Sequence, residues 1–406
     1  MKGDIMVFVD NVEEKEFTKF VSSNKKGHFL QSYEWGEVSN LNGWKSYYVG
    51  MKKNGKLVAT ALLLKKVLPF GYSYFYIPRG YVMDYKDYDL LREFTKNINI
   101  FTKKHKSLFF KIDPDIKLHT IDEEAKVIQG ENNYDIVDNL RKIGFKRRSL
   151  NKFFEHEQPR YTFRVLLDNE ENIDKRYSKT VHRFIKKANN YNVHTYIGTR
   201  EDIKEFVRLM KLTEKRQNFY SHKDSYYEKF YDILNKREEH VIVMLAKVKI
   251  NDVIEELNKE IENAKNDVSR EKKIKEREFY LDKKNEEVVV SAYFTVLYGN
   301  KAWYLYGAND LDYRDCYANY KLFDYQIKES KNRGMEIFDE FGTIGDVHTK
   351  NKLIGLHEFK KKFGGEYTEF IGEFDYIQKP FMNLLYRIVI PARRKIVRTK
   401  LRKRGE

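Results

Sequence analysis

The stretch "EVVVSAYFTVLYGNKAWYLYGAND", residues 287–310, decides the fold of this chain. Its apolar and aromatic residues form two runs on either side of Gly299, a pattern typical of a β-hairpin with a glycine in its turn. Residues 312–342, "DYRDCYANYKLFDYQIKESKNRGMEIFDEFG", then show helical periodicity followed by a short apolar strand that ends on Asp339. The stretch therefore predicts the order strand, strand, helix, strand.

An earlier part of the chain repeats this order. Residues 45–80, "KSYYVGMKKNGKLVATALLLKKVLPFGYSYFYIPRG", predict a hairpin with a glycine-bearing turn and a further strand. Residues 84–113, "DYKDYDLLREFTKNINIFTKKHKSLFFKID", predict a helix and a short strand that again closes on an acid. The repeat predicts an α/β (α+β) fold with two similar halves, and each half resembles an acetyltransferase-type (GNAT-like) domain in its order of elements.

The loop and short helix between Gly130 and Asn151 predict the boundary between the halves. A first acetyltransferase-like domain is expected over residues 1–145 and a second over 146–380. The second contains an insertion, 248–284, whose apolar residues step alternately by four and three. This pattern predicts a coiled-coil hairpin of two helices. The hairpin is either a solvated excursion or a lever that contacts a large partner such as RNA.

The chain is strongly basic. Lys and Arg outnumber Asp and Glu by 77 − 61 = 16 in 406 residues. Eight basic residues and one acid lie between Ala392 and Glu406, and the remaining surplus on the body favours polyanionic partners. Together with the apolar residues before it, this charge predicts a basic amphipathic tail over 381–406 that binds the anionic inner surface of the cell membrane. A disordered basic tail is the alternative.

Several kinds of site are disfavoured. The single Cys316 excludes an intramolecular disulfide, and the ten histidines lack ligand spacing, so we predict no metal site. The N-terminus, "MKGDIMVFVDN", lacks the build of a secretion signal, and the sequence contains no apolar run of about 18 residues. These features predict a cytoplasmic protein that is at most peripheral on the inner face of the membrane.

The coenzyme A loop of acetyltransferase-type domains has no counterpart in this sequence. That loop offers a Gln/Arg-x-x-Gly-x-Gly/Ala run for the pyrophosphate, and we find no such run. We therefore expect no bound cofactor and a donor other than an acyl-CoA.

The chain resembles the Fem family of non-ribosomal peptidyltransferases, which build the cross-bridge peptides of bacterial peptidoglycan from aminoacyl-tRNA. The resemblance covers roughly residues 5–380 and rests on eight motifs in the order that the family has them: "FLQSYEWGEV", "YIPRGYVMDY", "FFKIDP", "QPRYTFRVLL", "KTVHRFIKKA", "TEKRQNF", "YLYGAND" and "GLHEFKKKFGGEYTEFIGEFD". Three positions depart from the family pattern, since Ser39, Val181 and His222 stand where the family usually has Lys or Arg. The helical insertion is also shorter than is usual, which leaves its contact with tRNA open.

The resemblance implies an aminoacyltransferase. Its partners would be aminoacyl-tRNA and a peptidoglycan precursor, a lipid-linked or UDP-linked muramyl pentapeptide whose stem-peptide side-chain amine is extended. A membrane tail would favour the lipid-linked form. Two alternatives remain, an ordinary acyl-CoA N-acyltransferase and a non-catalytic scaffold of the same fold that binds RNA or membrane.

Two charged residues are predicted to carry the chemistry. Asp113 ends a buried strand and falls where the family's proposed base lies, although it could simply begin the turn with Pro114. Lys360, with Phe359 packed beside it, corresponds to a family lysine that stabilises developing charge. Asp339, at the matching strand end of the second half, is predicted to cap the loop before Gly342.

Residues predicted to bind substrate lie in the same motifs. Basic residues at three- and four-residue steps between 175 and 187 predict a helix face for phosphate. Gln31 and Tyr33 are expected beside Trp35 at the mouth of the first domain, with Trp44 in its core. The predicted substrate-binding residues are Trp35, Arg79, Lys179, Arg183, Arg216, Tyr220 and Tyr306.

Overall fold

The computed structural model describes residues 5–148, 150–153, 157–167, 173–217, 221–283, 286–351 and 353–387. These residues form two compact units. The first contains residues 5–122, 126–160 and 369–387, and the second contains residues 123–125 and 161–368. The predicted basic tail lies outside the described residues from position 388 onward.

The first unit is built around a seven-stranded sheet with strand order β1–β2–β3–β4–β5–β16–β8. The strands of the unit are β1 Met6–Val9, β2 Lys45–Lys53, β3 Lys56–Val67, β4 Ser73–Ile77, β5 Ser107–Ile112, β6 Lys117–Ile121, β7 Val127–Asn132, β8 Lys146–Arg147 and β16 Phe374–Ile377. Its helices are α1 Glu14–Ser23, α2 Tyr33–Leu41, α3 Tyr88–Lys104, α4 Tyr134–Lys142 and α12, residues 380–387. The turn between β2 and β3 is formed by Asn54 and Gly55, both with positive φ, as a two-residue hairpin turn requires.

Helix α3 covers one face of this sheet. It begins after Asp87, whose carboxylate accepts the Leu90 N–H. Leu91, Phe94 and Ile98 follow at helical spacing and are fully buried in the apolar core beneath the sheet. The core thus forms on the α3 side, and α1 and α2 also pack against this sheet.

The second unit has strand order β10–β11–β12–β13–β14–β9–β15. Its strands are β9 Tyr161–Leu166, β10 His194–Ile197, β11 Val241–Lys249, β12 Glu287–Tyr298, β13 Lys301–Asn309, β14 Ile337–Asp339 and β15 Glu366–Phe370, of which the last two residues group with the first unit. Its helices are α5 Lys179–Asn190, α6 Ile203–Gln217, α7 Asp224–Leu234, α8 Ile250–Glu262, α9 Asp267–Leu281, α10 Ala318–Asn332 and α11 Ile354–Lys361.

The predicted α/β repeat is confirmed. In the first unit β2, β3 and β4 are antiparallel, α3 follows, and β5 lies parallel to β4. In the second unit β11, β12 and β13 are antiparallel, α10 follows, and β14 lies parallel to β13. The pairing of β13 with β14 stops at Trp303 and Asp339, although β13 runs on to Asn309. The two parallel strands therefore part at their carboxyl ends, where α/β sheets commonly bind ligands.

The predicted insertion consists of α8 and α9, which pack on each other. Lys273 of α9 forms an ion pair with Glu260 of α8, and Arg277 donates to the Asn258 side chain. Val268, near the start of α9, is 80% exposed, so the apolar seam does not extend across the turn between the helices.

Residues 146–160 and 369–377 group with the first unit, whereas the sequence placed them in the second domain. The reason is β16, which pairs antiparallel with β5 and also with β8. The chain thus returns to its first sheet near its end.

Candidate active site

Asp113 is a buried carboxylate at the end of β5. One of its oxygens accepts the Arg79 backbone N–H at 2.7 Å, and the other accepts the Tyr76 hydroxyl at 2.9 Å. Burial is the largest influence on its ionisation and raises its pKa to about 7, although the Arg79 charge opposes this shift. A carboxyl group with this pKa can both hold and release a proton near neutral pH.

The turn from Pro78 to Gly80 is held from two sides. Gln31 is fully buried and donates from its side-chain nitrogen to the Pro78 carbonyl at 2.6 Å, while its oxygen accepts the Leu62 N–H. Asp113 holds the Arg79 N–H of the same turn, where Arg79 has a left-handed φ of +57°. The turn is therefore fixed relative to the end of β5, which favours a site whose geometry is set in advance.

Arg79 lies inside the first unit. Its guanidinium sits 4.7 Å from the centre of the Phe370 ring and donates to the Pro159 carbonyl at 3.3 Å. The side chain is only 6% exposed, so contact with a substrate would require it to leave these partners.

The aromatic stretch at α2 differs in part from the expectation. Gln31 was expected at the mouth of the domain, but it is buried because it ties β3 to the Pro78 turn. Trp44 was expected in the core, but it is half-buried, edge-on to Tyr74. Trp35 is also half-buried, with its ring edge-on to Phe29 at 5.6 Å. Among the three, Trp35 stays a predicted ligand contact.

Lys360 is buried at the end of α11 in the second unit. Its ammonium donates to the carbonyls of Glu340, Phe341 and Gly342 at 2.5, 3.0 and 2.8 Å. Burial lowers its pKa to about 8, opposed by the charges of Glu340 and Asp339. All three N–H donors are used, so Lys360 primarily fixes the loop that follows β14. A direct role on a substrate requires the release of one carbonyl.

Two neighbours of Lys360 have structural contacts. Phe359 packs into the apolar core against Phe323 and Phe363. Asp339 accepts the Phe341 N–H at 2.8 Å, which confirms the predicted cap, and also accepts the Arg164 guanidinium at 2.8 Å.

Glu340 was not singled out from the sequence. It is fully buried, and neither carboxylate oxygen has a hydrogen-bond partner within the described part of the chain. Burial raises its pKa well above the ordinary value, opposed by the charge of Lys360. The motif "FDEFG" contains two adjacent acids, Asp339 and Glu340. Nothing in the sequence indicated that Glu340 is the one whose carboxylate is buried without a hydrogen-bond partner among the described residues.

Helix α5 carries the predicted basic face. Ser178 caps the helix, which therefore starts at Lys179 and leaves Lys175 in a preceding 3-10 turn. Lys179, Arg183 and Lys186 are exposed, and within the described ranges neither these three nor Lys187 forms an ion pair. Four unpaired cations on one helix favour an anionic ligand.

Aromatic rings lie beside these cations. Phe184 stacks on Tyr317 with ring centres 4.3 Å apart and planes at 15°. The Arg183 guanidinium lies 5.0 Å from the Phe184 ring, and the Lys187 ammonium lies 5.5 Å from the Tyr317 ring. Tyr317 has a left-handed φ of +54° at the start of α10. We call Lys179, Arg183, Phe184, Lys187 and Tyr317 the α5 surface.

The remaining predicted ligand contacts lie near the end of β13. Tyr306 is half-buried among aromatic rings of α7, and its hydroxyl is 3.5 Å from that of Tyr226. Arg216, at the end of α6, is exposed and donates to the Asn309 carbonyl at 3.4 Å. His222 stacks on Tyr226 at 3.8 Å. Tyr220 lies outside the described residues.

Comparison with known proteins gives consistent results. A sequence model of the FemAB family matches residues 12–278 and 262–390. The chain is 26% identical over 425 residues to a lipid II:glycine glycyltransferase of Staphylococcus aureus, with 97% of each chain covered. It is 27% identical over 421 residues to the enzyme of that name from Staphylococcus epidermidis, again with 97% of each covered. A crystal structure of FemX superimposes with a TM-score of 0.76 at 25% identity, over 94% of this chain and 99% of that one.

Proposed function

The chain belongs to the FemAB family, and we propose that it transfers an amino acid from aminoacyl-tRNA to the stem-peptide side-chain amine of a lipid-linked peptidoglycan precursor. The observation that carries this proposal is the similarity, over 97% of each chain, to relatives named lipid II:glycine glycyltransferase. Those names make glycine the first donor amino acid to test and lipid II the first acceptor.

The reaction needs positioning and proton transfer. The acceptor amine attacks the ester carbonyl of the donor, a C–N bond forms, and the C–O bond to the tRNA 3′ oxygen breaks. The proton lost by the amine ends on that leaving oxygen. Asp113 is the proposed proton acceptor, because burial raises its pKa to about 7. Lys360 is the proposed positioning residue of the Glu340–Gly342 loop, since its ammonium holds three carbonyls of that loop.

Loss of the protein from its cell tests this activity at the level of the cell wall. Mass analysis of muropeptides from cells that lack the protein is expected to show bridges that are shortened or missing. Re-expression of the intact chain restores the bridge, and re-expression of the Asp113→Asn variant does not. Bridges of normal length and composition in the deleted strain would contradict the proposal.

The α5 surface supports an RNA donor. Single-stranded RNA is commonly bound by stacking of bases on aromatic rings or Arg guanidinium planes, with cations on the phosphates. The Arg183 guanidinium lies on Phe184, which stacks on Tyr317, and Lys179 and Lys187 flank these groups. Among the acids near Tyr317, Glu260 and Glu276 are paired with Lys273, and Asp315 lies 3.9 Å from the Arg314 guanidinium. We propose that this surface binds the single-stranded 3′ end of the charged tRNA.

A salt titration tests this contact. The Arg183→Gln/Lys187→Gln variant is expected to bind a short single-stranded RNA ending in CCA about tenfold more weakly, and its slope of log affinity against log salt is expected to fall by about 1.4, or about 0.7 per lost phosphate contact. The matched control is Lys204→Gln/Lys229→Gln, which removes two exposed charges from α6 and α7. An unchanged slope in the α5 variant would show that the RNA binds elsewhere.

A lipid-linked acceptor would place the protein at the inner face of the membrane. None of the described helices is both long enough and apolar enough to cross a bilayer. We propose peripheral attachment through the tail, in which eight basic residues follow Ala392. Each Lys or Arg held near an anionic surface contributes about 1 kcal/mol of binding free energy.

A further inference from the structure

We propose that the tip of the β3–β4 hairpin joins α12, the first part of the predicted tail, in a docking surface for an anionic bilayer. This proposal rests on the proposed function, because a lipid-linked acceptor is reached at the membrane. It adds a defined apolar surface to the basic tail. The hairpin tip comprises residues 67–71, "VLPFG", and lies far from the tail in sequence.

The hairpin tip and α12 expose large apolar side chains. Phe70 is 92% exposed and Val67 is 66% exposed at the tip. On α12, Phe381, Leu384 and Leu385 are 71%, 56% and 40% exposed. Isolated exposed apolar residues are ordinary, but a set on neighbouring elements marks a surface that binds another apolar phase.

Contacts within the first unit bring these two elements together. The Lys379 ammonium, just before α12, lies 4.9 Å from the ring of Tyr72, just after the tip. The Tyr386 ring of α12 lies 5.7 Å from both Tyr74 and Phe109 on the sheet. Arg387 donates to the Asp375 carboxylate at 2.5 Å. Helix α12 is therefore anchored through one side and presents its apolar residues on another.

The hairpin tip holds Phe70 outward in a strained conformation. Phe70 has a left-handed φ of +63°, a backbone conformation that is unfavourable for a residue with a Cβ. Pro69 precedes it, and the Leu68 N–H donates to the Tyr72 carbonyl at 2.8 Å to close the turn. A residue with a strained backbone and an almost fully exposed aromatic side chain is expected where a bound ligand offsets the strain.

Several lysines lie near the hairpin tip. The backbone N–H of Ser73, the first residue of β4, donates to the Lys106 carbonyl at 3.2 Å. This bond places the exposed end of α3 beside the tip. The pKa of His105 is lowered by burial and by the charges of Lys65, Lys45 and Lys104, which places those charges close together. We call the exposed lysines near the tip the cationic rim; they are Lys103, Lys104, Lys106 and Lys379. Among the residues that the structure describes, none of these four forms an ion pair.

Exposed apolar side chains beside unpaired lysines favour a lipid bilayer as the ligand of this surface. An apolar tip with a cationic rim matches the interface of an anionic membrane, where Phe and Leu insert at the boundary of the acyl chains and lysines meet the headgroups. A protein partner would have to match the same exposed Phe and a surplus of unpaired cations. A second copy of this chain would bring the two cationic rims together, which costs free energy.

Flotation with vesicles tests the proposal on the full chain without donor or acceptor. Val67→Ser/Phe70→Ser and, separately, Leu384→Ser/Leu385→Ser are expected to reduce binding to vesicles of phosphatidylcholine with phosphatidylglycerol by about tenfold each. The control is Val127→Ser on β7, which removes another exposed apolar side chain, 64% exposed, from the same unit. Vesicles of phosphatidylcholine alone are expected to bind the intact chain weakly.

A spectroscopic readout tests insertion at the tip itself. In a Phe70→Trp variant, tryptophan emission is expected to shift to the blue with the anionic vesicles and to be quenched by brominated lipid. Unchanged emission, or full vesicle binding by the hairpin variant, would overturn the proposal and leave the tail as the only contact. Self-association that Val67→Ser/Phe70→Ser disperses would overturn it in favour of a dimer. Because no donor is present, a failure of aminoacyl transfer does not affect these outcomes.

Discussion

A Lys360→Met variant is expected to lose roughly 3–5 kcal/mol of unfolding free energy and at least about 100-fold in transfer rate. The reason is the contact set of the ammonium, which donates to the carbonyls of Glu340, Phe341 and Gly342. Methionine has a similar length but no donor. It would leave buried carbonyls without their partner, and each such group costs about 1–3 kcal/mol.

The adjacent lysines provide matched controls. Lys361 forms an ion pair at 3.0 Å with Glu123, whose side chain is 74% exposed, and surface pairs of this kind contribute about 0–1 kcal/mol. Lys361→Met and Lys362→Met are therefore expected to change stability and rate little. Urea unfolding and single-turnover transfer measure the two effects separately. A Lys360→Met protein with wild-type stability and rate would show that the loop does not depend on this ammonium.

The charge of Lys360 can be tested apart from its packing. Burial lowers the pKa of Lys360 to about 8, so the ammonium loses its proton on the alkaline side of neutrality. If the charge is needed for the loop, the transfer rate of the intact protein falls as pH rises through about 8. The residual transfer rate of Lys360→Met is expected to show no such fall as pH rises through about 8.

An Asp113→Asn variant is expected to fold but to lose about 10²- to 10⁴-fold in transfer rate, the usual contribution of a general base. The amide can accept the Arg79 N–H and donate to the Tyr76 oxygen, so both contacts of the carboxylate can be kept. It cannot accept a proton from the amine. A rate within a factor of two or so of the wild type would contradict the role proposed for Asp113.

The pH dependence of stability gives a second readout for Asp113. Burial raises its pKa from 3.8 to about 7 in the folded chain, so the folded state keeps a proton that the unfolded state has lost. Its contribution to the free energy of unfolding is therefore largest below the unfolded pKa and declines as pH rises to about 7. As pH rises from 3.8 to about 7, the wild type is expected to lose stability relative to Asp113→Asn. Above about pH 7, the difference in unfolding free energy between the two proteins is expected to stay constant.

Much of the fold follows from local pattern. The glycine-bearing turns, the amphipathic α3 and the apolar strands that end on Asp113 and Asp339 each have a signal within about 20 residues, and the repeat of these signals gives the two halves. The cap made by Asp339 was predictable because an acid before Phe341-Gly342 can bond the backbone of its own loop. Local chemistry was sufficient for these features.

Other features depend on contacts that no local pattern encodes. Strand β16 has four residues and pairs with β5, more than 250 positions earlier in the chain, so the grouping of residues 369–377 with the first unit was not predictable from periodicity. Three consecutive lysines look alike in "KKK", and only the structure shows that Lys360 is the buried one. Gln31 and Glu340 are polar residues whose burial depends on distant partners and on the surrounding core.

The most direct test of the account is transfer by the purified full chain to lipid II in anionic vesicles. The amino acid is supplied in separate reactions as glycyl-tRNA carrying labelled glycine or as free labelled glycine, and a third reaction supplies labelled acetyl-CoA. The account predicts an amide-linked label on the stem peptide from charged tRNA alone, and no product from charged tRNA with Asp113→Asn on the same time scale. Acylation from acetyl-CoA, or no product from any correctly charged tRNA, would contradict it.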